Sequence, residues 1–328
     1  MPTKLITVFG ATGSQGGSVL NSLLKNNSGT FALRGITRNV ESEGSKALVA
    51  RGVEMRQASY LAKDQILQAL RGSWGVFVNT NSEDPAVTKP DGPSDTDVGK
   101  TIVDAAVESG VKHFVYSGLA SASKITNGAV SSKMFDEKYA VGEYAKSKAF
   151  DSVAIVSAGW YMENFLNEYL SRIGGGFPLY TDEEGYLTSR LPQWGGQGEI
   201  PFIAIEDDYG DLVHGVFLDP ERYNGKFIHG MSHAATQPQV VDTHHLLTGK
   251  KSRFIAIEDW KDFGKHDESL EATRNMFGFC QLSGGLYFGK PNDPSLPREL
   301  KAMATKAQGR SSGELMKVER FIAQRFAR

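Results

Sequence analysis

Two hydrophobic periods alternate along the first half of the chain. The apolar run at 5–9 has strand length, and residues 18–24 place Val19, Leu20, Leu23 and Leu24 on one helical face. The pairing then repeats. Strands are predicted at 30–37, 53–57, 74–80, 112–118 and 152–156, and helices at 43–51, 63–70, 95–109 and 133–150. Strands that alternate with helices predict an α/β fold, a doubly wound parallel sheet of Rossmann type. The stretches 82–93 and 118–130 are small and polar, and predict loops.

Past residue 158 the rhythm changes. Residues 159–165 begin a helix, and 173–198 is broken by Gly174-Gly175-Gly176, Gly195-Gly196 and Gly198. Short runs near 179–181 and 185–188 suggest a hairpin, and the whole stretch reads as a mobile cover rather than core. Further strands follow at 200–205, 226–229 and 253–257. Helices are expected around Leu212–Phe217, at 237–247 and at 269–280, and a terminal helix carries Val318, Phe321 and Ile322. This divides the chain into a dinucleotide-binding domain over 1–158 and a smaller α+β domain over 159–328, with allowance for elements of the second returning to the first.

The 328 residues carry a net charge of −2, which gives no electrostatic case for nucleic-acid or membrane binding. The single cysteine, Cys280, excludes an intramolecular disulfide, and its apolar neighbours predict a buried structural thiol. With no apolar run of bilayer length and no room for a signal peptide, a cytoplasmic or nuclear protein is expected. His244 and His245 are adjacent rather than one helical turn apart, so no metal site is expected.

Chemistry enters at the first strand-to-helix turn. Gly10, Gly13 and Gly16 give G-x-x-G-x-x-G between strand and helix, an anion cradle suited to a pyrophosphate. At the end of the second strand an acid would bind a ribose 2′-hydroxyl. The chain instead has Arg38, with Arg34 inside the strand and Lys46 beyond it, so NADP(H) is expected over NAD(H). Asn79, Thr80 and Asn81 end the fourth strand and Ser117 ends the fifth, the side of the sheet where such folds bind ligands.

Short-chain dehydrogenase chemistry needs a tyrosine with a lysine four residues later on one helical face. The literal match, Tyr144 with Lys148, sits at the far end of its helix from the cofactor side. Lys138 is nearly three turns earlier and better placed, but the position four before it is Met134. A complete tyrosine–lysine pair is therefore absent, and lysine-only catalysis stays open.

The ordered set Val8–Gly17, Thr37-Arg38-Asn39, Val115–Leu119, Phe135–Lys138 and Tyr161–Asn164 resembles the NmrA-like family, an atypical branch of the short-chain dehydrogenases. The chain is most similar to the NADPH-sensing regulators of that family. The resemblance implies that Gly10, Thr12, Gly13, Ser14, Gln15 and Gly16 hold the pyrophosphate and Arg38 the 2′-phosphate. It further implies Asn79, Thr80 and Ser117 along the cofactor, Lys138 at the nicotinamide ribose, and Tyr161, Glu163 and Asn164 beside the nicotinamide. Two departures stand out: Ser59-Tyr60 replaces an aspartate that commonly seats the adenine, and Asp97 lies where a relative carries a cofactor-facing lysine.

Two functions follow as expectations. The first is a redox sensor that binds NADP(H) and acts through a protein partner, without binding nucleic acid itself. The alternative is an NADPH-dependent reductase of a small carbonyl, quinone or imine, with Lys138 or Tyr161 supplying the proton.

Overall fold

The computed structural model describes residues 3–89 and 91–327. Its centre is a seven-stranded parallel sheet. Six strands come from the first half: β1 (Lys4–Val8), β2 (Phe31–Thr37), β3 (Glu54–Gln57), β4 (Gly75–Val78), β5 (His113–Tyr116) and β6 (Ser152–Ala158). Two short strands, β7 (Trp160–Tyr161) and β8 (Leu187–Pro192), come next, then β9 (Ile200–Ile203) and β10 (Phe227–Gly230). The order across the large sheet is β10-β6-β5-β4-β1-β2-β3. Every residue of β4, β5 and β6 is buried, because helices cover both faces and leave no polar-out alternation.

On one face pack α1 (Ser14–Leu23), α9 (Gly210–Leu218) and α12 (Ser295–Ala307). The other face is covered by α3 (Lys63–Leu70), α5 (Asp95–Glu108) and α7 (Lys133–Lys146). The remaining helices of the first half are α2 (Glu43–Val49), α4 (Pro85–Thr88) and α6 (Ala122–Ile125). The last two are single turns inside stretches expected to be loops; the side chains of Asp84 and Ser121 cap them. Strand order reverses between β1 and β4, so their carboxyl ends open a crevice there, the usual ligand position in such sheets.

The C-terminal half builds a second core beside these carboxyl ends. It contains α8 (Glu168–Ile173), α10 (Gln237–Thr248), α11 (Glu271–Leu282) and α13 (Val318–Phe326), with β11 (His233–Ala235) and β12 (Ser252–Ile257). Three expectations fail here. Residues 159–165 form a two-residue strand and a 3-10 turn rather than a helix start. No hairpin forms at 179–188; β8 instead pairs in parallel with β12, Leu187 opposite Ser252. Nor is 174–198 a loose cover. Phe177, Leu187 and Trp194 are buried in the second core, and a Cβ at Gly195 would lie 2.6 Å from the Cys280 carbonyl oxygen. That glycine serves close packing, which sequence cannot distinguish from mobility. Cys280 is fully buried, and burial pushes its thiol well up. Among the described residues no helix is long and apolar enough to cross a membrane, and no group of three His, Cys, Asp or Glu side chains could hold a metal ion.

Candidate active site

The turn between β1 and α1 owes its shape to two glycines. Gly10 has φ +63°, a left-handed conformation, and any Cβ on Gly16 would collide with the Gly10 carbonyl. Gly13 caps α1 without a side chain, and no acidic residue lies in the first turn. The leading N–H groups therefore keep their donors for a ligand, and the helix dipole favours an anion. In front of them lies a cleft of about 640 Å³. Gly10, Thr12, Gly13, Ser14 and Gln15 form its floor, and Arg38 stands at the end of β2. Asn79 and Thr80 follow β4, Ser117 follows β5, and Lys138, Tyr161 and Asn164 close the far end.

Two buried oxygens in this cleft have no protein partner, Gln15 Oε1 and Asn79 Oδ1. Such atoms are rare in a finished interior and suit a polar ligand. Together with the uncapped helix terminus and the guanidinium, they fit a phosphorylated dinucleotide.

Lys138 is not a solvated helix lysine. Its side chain is 11% exposed, and Nζ donates to the Thr80 carbonyl at 2.8 Å, to Thr80 Oγ1 at 2.8 Å and to Asp95 Oδ2 at 2.9 Å. All three ammonium protons are thus engaged. Burial lowers the Lys138 pKa, and the Asp95 carboxylate, 1% exposed, opposes that shift. Ser82 Oγ also donates to Asp95 Oδ2, at 2.8 Å. Across the cleft, Gln15 Nε2 donates to the Tyr161 hydroxyl at 2.6 Å. Burial, only partly offset by that bond, raises the Tyr161 phenol to about 12, so it keeps its proton at neutral pH.

The sequence model of the NmrA-like family matches residues 2–307. The chain belongs to the NmrA-like family. An NmrA-like family domain-containing oxidoreductase of Aspergillus flavus is 45% identical over 99% of this chain and 98% of its own. Among solved structures, NmrA, a negative transcriptional regulator in complex with NADP, aligns with a TM-score of 0.74 at 19% identity, over 99% of this chain and 96% of its own. The NADPH-dependent quinone oxidoreductase QOR2 of Escherichia coli, complexed with NADPH, aligns with a TM-score of 0.69 at 20% identity, over 97% and 99%. At such identities these structures establish the shared NmrA-like fold.

Not every expected residue reaches the cleft of this NmrA-like chain. Gly16 lies beneath the loop as a packing glycine. Glu163 is not in the cleft lining but faces an adjoining cavity at the start of α1, which shares Thr12, Gly13, Ser14 and Tyr161 with the cleft; its Oε1 accepts the Glu206 N–H at 2.9 Å. Arg34 is tied to Glu54 at 2.9 Å and to the Ala69 and Arg71 carbonyls at 2.8 Å. Lys46 pairs with Glu41 and Glu43 in solvent. Tyr144 and Lys148 both bind Asp104, away from the cleft. Asp97 closes the capping box of α5 with Ser94 and does not line the cleft.

Sequence reasoning missed three groups. Tyr60 lines the cleft, and its hydroxyl accepts the Gly10 N–H at 2.7 Å, fixing the glycine loop. The Ser59-Tyr60 departure marked this position but not its contact. Asp84 pairs with Arg38 at 2.6 Å and lines the cleft. Asp95, partner of Lys138, carried no local signal at all.

At the Lys138–Tyr161 end the cleft meets a second cavity of about 330 Å³. Its walls include Leu119, Met134, Trp160, Leu170, Met276 and Tyr287, while Gln15, Glu83, Ser117, Lys138, Tyr161 and Asn164 line both spaces. A polar, anion-binding cleft thus ends in a largely apolar chamber. Two groups that hold protons stand at the junction.

Proposed function

We propose that this protein is an NADP(H)-dependent oxidoreductase acting on a small carbonyl, quinone or imine compound. The observation that carries the reading is the junction itself, where Lys138 and Tyr161 border both the polar cleft and the apolar chamber. The Aspergillus flavus relative named an oxidoreductase, and the fold neighbours solved with NADP and NADPH, support it.

In this reading the amides of Ser14 and Gln15 would hold the pyrophosphate, with Gly13 shaping the loop through its own N–H bond to the Gly10 carbonyl at 2.9 Å, and Arg38 would hold the 2′-phosphate. Gln15 Oε1 and Asn79 Oδ1 would find their missing donors there. When bound, the dinucleotide supplies a hydride, so that a C=O or C=N bond gains a hydride and a proton while NADPH is oxidised to NADP⁺. The proton falls to Tyr161. Its hydroxyl is protonated at neutral pH and accepts from Gln15, leaving its own O–H free to point at the acceptor. Lys138 has no N–H to spare and acts as a positioning residue that ties β4 to α7. Apolar walls exclude water from the reacting atoms.

The test is NADPH oxidation by the purified protein over a panel of aldehydes, quinones and imines, with Tyr161→Phe beside it. Substrate-dependent oxidation, slowed at least about a hundredfold by Tyr161→Phe, is expected. NADPH that binds yet is oxidised by no member of the panel would sink the reading.

Met134, standing where a hydroxyl is needed, favours the sensor reading. That reading predicts a protein partner whose affinity differs between NADPH and NADP⁺, since a ligand shifts an equilibrium only by its differential affinity. Equal capture of a partner in the presence of NADPH, NADP⁺ and neither would dispose of it. The mobile cover it relied on is not available, because 174–198 is packed.

A further inference from the structure

Beyond the apolar chamber lies a narrow extension of about 50 Å³ that the reaction chemistry does not use. It is continuous with the chamber, because Trp160, Asn164, Leu170 and Thr273 line both. Its walls are aromatic rings already packed on one another. Trp160 and Phe277 are 5.5 Å apart between centroids, Phe263 and Phe277 5.1 Å, and Phe165 and Phe177 6.0 Å. No charged side chain lines it among the described residues. Ser171 Oγ donates to the Gly176 carbonyl at 2.6 Å and Ser189 Oγ reaches Gln237 Oε1 at 3.5 Å; Asn164, Gln237 and Thr273 are the other polar side chains of a lining that is otherwise mostly apolar.

The extension is several times larger than one water needs, and most of its wall is aromatic or aliphatic. A space of this kind is filled well only by apolar atoms, and a charge there would lose its hydration for nothing. The charged groups of the continuous space, Glu83 and Lys138, line the cleft and the chamber where these meet, and neither lines the sleeve. Polarity therefore falls from the reacting end outward, which sets the direction in which a ligand lies.

We propose that the acceptor is an uncharged, two-part molecule. A reducible carbonyl or imine sits between Lys138 and Tyr161, and an aromatic ring or branched apolar group enters the sleeve bounded by Trp160 and Phe277. The inference rests on the reductase reading and names the class of substrate it takes. Length is selected because the sleeve opens from the chamber past Thr273 and Leu170, which line both. Charge is selected against because no charged side chain lines the sleeve to offset its desolvation.

The experiment compares benzaldehyde, para-phenylbenzaldehyde and the same biphenyl aldehyde bearing a carboxylate on its outer ring. Calorimetry gives binding to the wild-type protein, and NADPH oxidation is followed in parallel. The added ring should tighten binding by about tenfold or more, and the carboxylate should abolish that gain. Thr273→Trp, or Leu170→Trp should the first variant fold poorly, blocks the entrance and should erase the preference for the longer aldehyde. Equal affinity for all three aldehydes in the wild type, or a preference surviving in both blocked variants, overturns the sleeve whether or not NADPH is oxidised. A ring-dependent gain without any NADPH oxidation supports the sleeve as a ligand site and overturns the reductase reading instead.

Discussion

Replacing Lys138 by methionine removes one charge from a site that water barely reaches. The Lys138 side chain is 11% exposed and Asp95 1% exposed. After the substitution the Asp95 carboxylate keeps the Ser82 hydroxyl on Oδ2, while Oδ1 has no partner even in the wild type. Breaking a buried pair by removing one member costs about 3–5 kcal/mol, since the charge left behind is neither hydrated nor paired. Asp95→Asn is milder, about 1–3 kcal/mol, because the amide oxygen still accepts from Lys138 and Ser82. The double variant carries no buried charge and forfeits mainly the two bonds to Thr80, about 1–2 kcal/mol. Its cost should thus fall well below the two singles combined, a coupling of about 2 kcal/mol or more. Urea unfolding, with slopes compared so that ΔG changes are read from the midpoints, measures all four states. A Lys138→Met variant within about 1 kcal/mol of wild type, or additive singles, would show that the pair is solvated and the reasoning wrong.

Acid should destabilise the protein in two steps, with His214 and Asp211 on α9 and His244 on α10. Burial lowers His214 and His244 to about 4, so they stay neutral in the fold while the unfolded chain takes up protons below 6.5; stability falls between 6.5 and about 4, and His214→Gln should shrink that step. Burial alone would raise Asp211, but Lys301 at 2.9 Å, with Ser22 and Gln308, holds it down to about 2. Its contribution, roughly 2 kcal/mol, is complete above 3.8 and is lost as pH falls from there towards about 2. Asp211→Asn should abolish this lower step in melting temperatures recorded against pH; two unchanged steps would refute the assignment. In calorimetry Arg38→Ala should cost NADPH about 1.5–3 kcal/mol and NADH little, while Asp84→Asn, which frees Arg38, should strengthen NADPH binding by up to about 1 kcal/mol. Equal losses for both nucleotides would remove Arg38 from the phosphate site. Tyr60→Phe takes the acceptor from the Gly10 N–H and should lower stability by about 1–2 kcal/mol; an unmoved midpoint would mean the hydroxyl does not hold the loop.

Local signals carried most of the first half. The α3 span 63–70 was readable from Ile66 and Leu70, and the glycine loop from three residues in sequence. What failed was non-local. The glycines at 174–198 look like flexibility until the Cys280 and Gly284 carbonyls are brought against them. α12 was missed behind Pro294 and Pro297, although proline in a first turn costs nothing because that N–H has no partner anyway. Lys138 was found by counting turns, but its partner Asp95 lies 43 residues earlier and meets it only because α5 packs on α7. Arg38 was located at the right strand end, while Asp84, which competes for its guanidinium, comes from the loop after β4. Periodicity records what one element buries. Pairing across elements leaves no such trace.

Met134 bears on both functional readings at once. Four residues before Lys138 it removes the hydroxyl that a tyrosine–lysine pair would supply, which argues for binding without turnover. The same side chain also lines the chamber at the Lys138–Tyr161 junction, where a hydroxyl would have made the wall polar. In the proposed reductase the two consequences belong together: the proton donor moves to Tyr161, across the cleft, and the vacated position becomes part of an apolar wall leading to the Trp160–Phe277 sleeve. In the proposed reading the glycine loop, Arg38 and the polar cleft serve the dinucleotide, while the apolar part of the chamber and the sleeve serve an acceptor lying beside Tyr161.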